Sequence, residues 1–163
     1  MASDIDKPLV SVIVPVYNVG MFALPCVNSL LGQTYSNIEY IIVDDGCTDN
    51  TIDLIEDAVG SDTRFKILHK ENGGLSSARN FGTQRCHGDY VMYVDGDDLI
   101  DSRTVELMVE AADKYQVPLV IGSFAKTPVL DNYKIGQNVE FHVESGIEHF
   151  RKLLLLTGES GSA

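Results

Sequence analysis

The stretch "PLVSVIVPVY" at residues 8–17 indicates the fold class of this chain. It is almost entirely apolar and rich in β-branched side chains, which is the composition of a strand covered on both faces in a parallel sheet. A strand with one face in water would instead alternate polar and apolar residues. We therefore predict a buried first strand here, with helices packed on both of its faces.

Strand-like and helix-like segments alternate along the rest of the chain. The apolar patterns predict further strands over 39–45, 64–69, 89–95 and 118–124, and an edge strand at 139–143. Helices are predicted over about 22–33, 50–59 and 75–86, from about 102 to 115, and from Gly146 onward. Because this alternation requires crossover connections, we predict an α/β fold, a Rossmann-like three-layer α/β/α arrangement with a mostly parallel central sheet. We expect one domain over 1–163, with a disordered polar tail at 158–163.

Charge and composition exclude several classes of function. The net charge is −12 at pH 7 and no cluster of Lys and Arg interrupts it, which argues against a nucleic-acid-binding protein. Cys26, Cys47 and Cys86 lack metal or disulfide spacing, so we predict three reduced thiols. No apolar run reaches the roughly 20 residues of a membrane span, and no signal peptide is apparent. We expect a cytoplasmic protein, with peripheral association at the inner face of the cell membrane left open.

A polar segment follows each of the first four predicted strands. These segments are "PVYN" at 15–18, "DDGCTDN" at 44–50, "KENGGLSSARN" at 70–80 and "DGDD" at 95–98. In open α/β sheets ligands bind outside the carboxyl ends of the strands, where such segments meet. We therefore predict one site built from all four.

Several common sites do not match this sequence. Neither G-x-G-x-x-G after the first strand nor a phosphate-binding G-x-x-x-x-G-K-[ST] loop is present. The run from Asp45 fails as a calcium loop because Cys47 and Asn50 replace a ligand and the turn glycine. Asp49 is then interpreted as a helix N-cap.

The triplet Asp95-Gly96-Asp97 ends the fourth predicted strand. Like charges placed this close repel, at about 4 kcal/mol per close pair for an effective dielectric near 20, so a cation is expected beside them. A hard divalent ion such as Mg²⁺ or Mn²⁺ binds one or two carboxylates and completes its shell with water and phosphate oxygens. The triplet therefore predicts a metal and diphosphate site.

Four motifs together resemble a known family. "VSVIVPVYN", "QTY…EYIIVDDGCTD", "NGGLSSARN" and "YVMYVDGDD", in this order, resemble the N-terminal, nucleotide-binding part of the family 2 glycosyltransferases, which have a GT-A fold and invert the anomeric centre. The resemblance covers about residues 9–124. It implies transfer of a sugar from a nucleotide-diphosphate donor, often a UDP-sugar, to a saccharide or lipid-linked acceptor.

The resemblance also implies roles for residues that would hold the nucleoside. Pro15, Tyr17 and Asn18 are expected to border the nucleoside pocket, with the Tyr17 ring near the base. Asp45 is expected to accept a hydrogen bond from the base. Asp44 has the alternative role of bracing the turn alone.

The remaining motifs are matched to the phosphate side of the donor. The turn containing Asn72 and Gly74 is expected to line the donor site together with Arg79, whose alternative role is to pair with an acid. Asp95 is expected near the ribose and the metal, and Asp97 is expected to coordinate a Mn²⁺ or Mg²⁺ ion that bridges both phosphates. Asp98 has the alternative role of capping the following helix.

The sequence departs from the family pattern at the catalytic base. In the family this base is an acid beyond the metal motif, often in an "ED" pair, and no such pair follows Asp98. The resemblance therefore implies a donor-binding part that lacks the base, truncated before the acceptor half. A non-catalytic nucleotide-sugar-binding module acting within a complex is the alternative. A nucleotidyltransferase ranks last because "PVYNVGMFALP" carries no basic residue to hold a triphosphate.

Overall fold

The chain builds a parallel four-stranded sheet in a computed structural model that describes residues 7–122. The strands are β1 (Val10–Val16), β2 (Ile38–Asp44), β3 (Phe65–His69) and β4 (Tyr90–Tyr93). Their order is β3-β2-β1-β4, and all three pairings are parallel. The chain moves outward from β1 to β3 and then crosses to the other side of β1. The switch point of the sheet therefore lies between β1 and β4, where α/β proteins commonly bind ligands.

Helices connect the strands. They are α1 (Ala23–Leu31), α2 (Thr51–Val59), α3 (Leu75–Thr83) and α4 (Thr104–Tyr115), and a short 3-10 turn at Gly20–Phe22 precedes α1. Pro25 lies in the first turn of α1, where its missing N–H removes no bond within the helix. These elements confirm the predicted alternation and place each boundary within a few residues of its predicted position.

Helices cover both faces of the sheet. On one face, alternate residues of β1 and β2 pack with side chains of α1, α2 and the first turns of α4. On the other face, Ile13, Ile41 and Val43 pack against Ala78 of α3. Gly82 allows α3 to lie close, because a Cβ there would stand only 2.6 Å from the Cγ2 atom of Ile13. The predicted three-layer α/β/α arrangement is therefore confirmed.

The strand predicted at 118–124 is wrong over the residues that the structure describes. Residues 118–122 form no strand, and Leu119 and Ile121 are 70% and 58% exposed. Their β propensity reflects packing on a sheet surface, which a segment with no strand pairing does not obtain. Residues 123 and 124, the predicted edge strand at 139–143, the helix from Gly146 and the tail at 158–163 lie outside the described residues.

The chain divides into two compact units, Met1–Val109 and Glu110–Ala163. All strands found among residues 7–122, and all four polar segments, belong to the first unit. In the described part of the second unit α4 ends, and Gln116 then turns the chain with a positive φ of 51°. Within residues 7–122 no helix is long and apolar enough to cross a membrane.

Candidate functional site

The four polar segments meet at the carboxyl edge of the sheet, and we call them together the rim: residues 15–18, 44–50, 70–80 and 95–98. Main-chain atoms at the end of β1 hold two of them. The carbonyl of Val16 accepts from Asp45 N at 3.0 Å, and the carbonyl of Pro15 accepts from Gly96 N at 3.2 Å. Side-chain bonds then join the neighbouring segments, so all four polar segments lie together at this edge of the sheet.

Asn18 joins the first segment to the second. Its Oδ1 atom accepts from Thr48 N at 2.8 Å and from Asp49 N at 3.3 Å, and its Nδ2 donates to Thr48 Oγ1 at 3.2 Å. Asn18 has a positive φ of 50°, a conformation in which Asn is enriched. Tyr17 is 49% exposed, whereas Pro15 is buried. An exposed aromatic ring at this edge is available to stack on a ligand.

Asp44 braces the turn that follows β2. Its Oδ1 accepts from Cys47 N at 2.7 Å, and its Oδ2 lies 2.9 Å from His69 Nδ1. Burial alone would raise the pKa of Asp44, but these hydrogen bonds hold the pKa below its ordinary value. The bracing role considered for Asp44 therefore matches its contacts.

Asp45 holds the third segment against the second. It is only 3% exposed, and its carboxylate accepts from Gly74 N at 2.7 Å, from Gly73 N at 3.1 and 3.2 Å, and from the ammonium of Lys70. Burial alone would raise the pKa of Asp45, but these donors lower the pKa. Gly74 has a φ of 84°, which a side chain would strain. The turn before α3 is thus shaped around one ionised carboxylate.

The glycine at position 46 permits the same two segments to approach. Gly46 has a φ of 81°, and a Cβ there would stand 3.0 Å from Asn72 N. Asn72 itself is exposed, so its side chain lies at the surface of the rim. The "DDG" and "NGG" turns therefore pack backbone against backbone.

Arg79 of α3 joins the third segment to the fourth. Its Nη2 atom lies 2.5 Å from Asp95 Oδ1, and its guanidinium carbon lies 5.8 Å from the centre of the Tyr93 ring. Its Nε atom is buried and has no hydrogen-bond partner among the described residues. The alternative in which Arg79 pairs with an acid therefore matches its contacts, while the orphaned donor leaves Arg79 with unused hydrogen-bonding capacity.

Three carboxylates follow β4 in a tight turn. Asp98 N donates to Asp95 O at 2.9 Å, and a Cβ on Gly96 would stand 2.5 Å from Val16 Cγ1, so only glycine fits this contact. The side chains of Asp97 and Asp98 are exposed. Desolvation raises the pKa of Asp98, and the charges of Asp97 and Asp95 raise it further. Negative charge therefore accumulates at this turn.

The negative charge of this turn also affects the thiol of Cys26 in α1. Its pKa is raised to about 12, first by burial and then by the charges of Asp98, Asp97 and Asp95. The described cysteines are all free thiols, as predicted. A cation near the turn would relieve this accumulation of charge.

The donor set at this turn suits a hard divalent ion. Among residues 7–122 no group of three or more His, Cys, Asp and Glu side chains is arranged to hold a metal ion without other ligands. Mg²⁺ and Mn²⁺ do not require such a group when substrate phosphates complete the shell. The carboxylates of Asp95 and Asp97 therefore fit an ion that arrives together with a diphosphate.

The two predicted helix caps have different outcomes. Asp49 Oδ1 accepts from Thr51 N at 3.0 Å, which caps the first turn of α2 from one position before Asn50. Asp98 is not the cap of the next helix, because α4 begins only at Thr104 and Asp101 Oδ1 accepts from Arg103 N at 2.9 Å. The longer loop moves the helix start away from Asp98.

Lys70 is the rim residue that sequence reasoning missed. It directly follows β3, and its side chain is 13% exposed beside Asp45. A buried carboxylate at the end of β2 requires a cationic partner or several donors, and a lysine at the end of the adjacent strand is well placed to provide one. The need of Asp45 for a cationic partner was therefore the signal in the sequence that could have identified Lys70.

Comparisons with known proteins identify the family. The model of glycosyl transferase family 2 matches residues 11–160. The chain belongs to this family. It is 45% identical over 119 residues to the glycosyltransferase EpsJ of Bacillus subtilis, covering 73% of this chain and 35% of EpsJ. It is 39% identical over 117 residues to the glycosyltransferase GlyG of Streptococcus pneumoniae, covering 71% of this chain and 39% of GlyG. The chain thus spans little more than a third of these relatives.

Solved glycosyltransferases share the fold. TarS of S. aureus (residues 1–349), in complex with UDP-GlcNAc, superposes with a TM-score of 0.62 at 30% identity, covering 66% of this chain and 32% of TarS. The mannosyltransferase PcManGT of Pyrobaculum calidifontis, in complex with GDP-Man and Mn²⁺, superposes with a TM-score of 0.61 at 23% identity, covering 71% of this chain and 34% of that protein. The predicted GT-A type of α/β fold is therefore confirmed.

Proposed function

We propose that this chain is the donor-binding part of an inverting glycosyltransferase that takes its sugar from a nucleotide diphosphate, most simply a UDP-sugar. The carrying observation is the convergence of four polar segments at the switch point of the sheet, with three carboxylates in one turn at its edge. The similarity to TarS supports the choice of uridine, because TarS was solved in complex with UDP-GlcNAc and with UDP.

The nucleoside binds at the first two segments in this proposal. Tyr17 is half-exposed and offers its ring for stacking on the base, while Pro15 and Asn18 shape the floor. Asp45 contacts the base as hydrogen-bond acceptor. Its ionised state agrees with that role, since a carboxylate accepts from a base N–H.

The diphosphate binds between the third and fourth segments. Arg79 provides a guanidinium whose Nε–H has no hydrogen-bond partner among the described residues, and the turn with Asn72 and Gly74 borders the same space. Arginine suits this position because its planar fork matches phosphate oxygens. Binding a diphosphate requires Arg79 to share or exchange its bond to Asp95.

Asp95 and Asp97 are the residues that would hold Mn²⁺ or Mg²⁺. When bound, the ion stabilises negative charge on the diphosphate leaving group. The residues of this chain orient the donor. They also position the two carboxylates in a turn that Gly96 allows to lie close against β1. In this proposal, neither the general base nor the binding site for the saccharide or lipid-linked acceptor lies among the described residues 7–122.

A thermal-shift and calorimetric titration tests the proposal. We expect UDP with Mn²⁺ to raise the melting temperature of the wild-type chain, because a ligand that binds only the folded state stabilises it. Asp97→Asn should lose most of the Mn²⁺-dependent part. The matched control is Asp57→Asn, which makes the same change at an exposed position of α2 and should keep the full shift.

Three outcomes decide between the proposal and its alternative. No UDP binding by the wild-type chain, with or without Mn²⁺, contradicts the proposal. Binding without any sugar transfer by the longer protein that contains this sequence favours the non-catalytic module instead. Transfer with inversion by that longer protein supports the enzyme.

A further inference from the structure

We propose that Lys70 competes with the base of the nucleotide for Asp45, so that this lysine weakens donor binding while it stabilises the fold. The inference rests on the proposed function, in which Asp45 accepts a hydrogen bond from the base. It adds a residue that sets the affinity of the site.

The carboxylate of Asp45 is buried and enclosed by three donors. A carboxylate offers about four lone-pair positions on its two oxygens. The Lys70 ammonium donates to Oδ1, Gly74 N donates to Oδ2, and the single N–H of Gly73 is shared between the two oxygens. With Asp45 only 3% exposed, a base N–H reaches it only after one of these donors withdraws.

Lys70 is the donor that can withdraw. The N–H groups of Gly73 and Gly74 belong to the backbone turn that starts α3, where Gly74 O accepts from Ala78 N at 3.0 Å. Moving them would displace the start of the helix that carries Arg79. The lysine side chain has a flexible stem and moves without disturbing the backbone. Its ammonium lies over the turn, since a Cβ on Gly73 would stand 2.9 Å from Lys70 Nζ.

Competition for Asp45 and simple electrostatic attraction predict opposite effects of removing the Lys70 ammonium on the affinity for UDP. A lysine near an anionic diphosphate should raise affinity by charge attraction, and its removal should weaken binding. If Lys70 instead occupies the position of the base, its removal should strengthen binding. A purely structural role gives a third pattern, in which stability and binding fall together.

The test compares two lysine-to-methionine variants of the full 163-residue chain. Lys70→Met keeps an unbranched apolar side chain and removes the ammonium. The matched control is Lys66→Met, because Lys66 pairs with the buried carboxylate of Glu39 at 2.9 Å near the other end of β3. Calorimetry measures the Kd of UDP and of inorganic pyrophosphate, each with Mn²⁺, and urea unfolding measures stability.

We expect Lys70→Met to bind UDP about tenfold more tightly, the scale of one charged hydrogen bond. Its urea midpoint should fall, and its affinity for pyrophosphate should not rise, because pyrophosphate has no base. Lys66→Met should lower the urea midpoint and leave both affinities unchanged.

Three results would overturn the inference. One is unchanged or weaker UDP binding by Lys70→Met while the wild-type chain binds UDP, and this leaves the proposed function intact. The second is tighter binding of pyrophosphate as well, which assigns the effect to the phosphates. The third is the absence of UDP binding in both chains, which removes the proposed function together with this inference.

Discussion

Two acid–lysine pairs, each with a buried acid, connect the same two strands, one at each end. At the rim, Asp45 after β2 pairs with Lys70 after β3, and toward the opposite end Glu39 in β2 pairs with Lys66 in β3. The lysine at the rim is 13% exposed, whereas Lys66 is 49% exposed. The rim pair therefore has both charges removed from water, while the other pair has only the acid removed.

The partners of the two acids also differ. Glu39 accepts from Ser11 Oγ at 2.7 Å and from His87 N at 2.7 Å. Ser11 lies in the middle layer on β1 and in turn accepts from Gly88 N at 2.8 Å, so this network fastens the start of β4 to the sheet. Asp45 instead accepts from a turn between β3 and α3. The comparison indicates that one pair stabilises regular structure and the other stabilises a loop of the rim.

The largest effect is expected for Asp45→Asn. Removing the charge takes from the mostly buried Lys70 ammonium its carboxylate partner, which costs up to about 3–5 kcal/mol for a broken buried pair and less as the lysine turns into water. The turn at Gly73 and Gly74 also loses a full carboxylate acceptor. We expect urea unfolding to show this loss, and calorimetry to show no UDP binding under conditions where the folded fraction is confirmed by circular dichroism.

The second-largest effect is expected on acidification, which should remove the contribution of Glu39 to the free energy of unfolding. Burial raises the pKa of Glu39, but bonds from Ser11, Lys66 and His87 N lower it to about 2 from an ordinary value of 4.5. Between about pH 2 and pH 4.5, Glu39 is therefore ionised in the folded state and mostly protonated in the unfolded state. Its contribution is complete above about pH 4.5 and is lost as the pH falls toward 2, to a total on the order of 3 kcal/mol.

The measurement for this prediction is the unfolding free energy of wild type and Glu39→Gln between pH 5 and pH 2, pH values chosen to span the titration described by the linkage relation. The two curves should converge as the pH falls. Parallel curves over this range would contradict the assignment of Glu39 as a strongly depressed acid. Other depressed carboxylates, including Asp44 and Asp45, contribute to both curves and cancel in the difference.

At neutral pH, Glu39→Gln should lower the free energy of unfolding by less than Asp45→Asn does. The Gln oxygen still accepts from one neighbour, and Lys66 can turn its ammonium into water, so we expect a loss of about 2 kcal/mol. UDP affinity should change by no more than a factor of about two, or roughly 0.4 kcal/mol. The reason is that Glu39 lies toward the opposite end of β2 from the rim. A larger change in affinity would mean that the two ends of the sheet are coupled.

The smallest effect is expected for His87→Ala. Its ring nitrogen lies 3.6 Å from Glu39 Oε1 and its side chain is 69% exposed. The bond that matters comes from the His87 backbone and survives the substitution. The unfolding free energy should change by less than about 0.5 kcal/mol. A loss comparable to that of Glu39→Gln would show that the imidazole, rather than the main chain, secures β4.

The sequence predicted the frame more completely than the site. Buried strands such as β1 are recognisable because β-branched residues on both faces have no alternative to a sandwiched sheet. The segment at 118–122 has a similar composition but no strand partner in the described residues, and composition alone does not distinguish the two cases. Pairing depends on neighbours that are remote in sequence.

The position of the rim was predictable, but its internal contacts were not. The polar segments after β1 to β4 marked the rim, since parallel strands end at one edge. The bond between Arg79 and Asp95 and the contact of Lys70 with Asp45 depend on side-chain directions across crossovers, which spacing does not specify. The assigned roles of Pro15, Tyr17 and Asn18 in binding a nucleoside stay predictions.

The end of β1 has a consequence for how this protein can be altered. Val16 and Pro15 hold two rim segments through their carbonyl oxygens, which every amino acid possesses. Side chains at the tips of those loops can therefore be exchanged without moving the scaffold that presents them. Libraries that vary loop tips and preserve Gly46 and Gly96 should therefore give folded variants, in which the proposed donor binding can be altered by directed evolution.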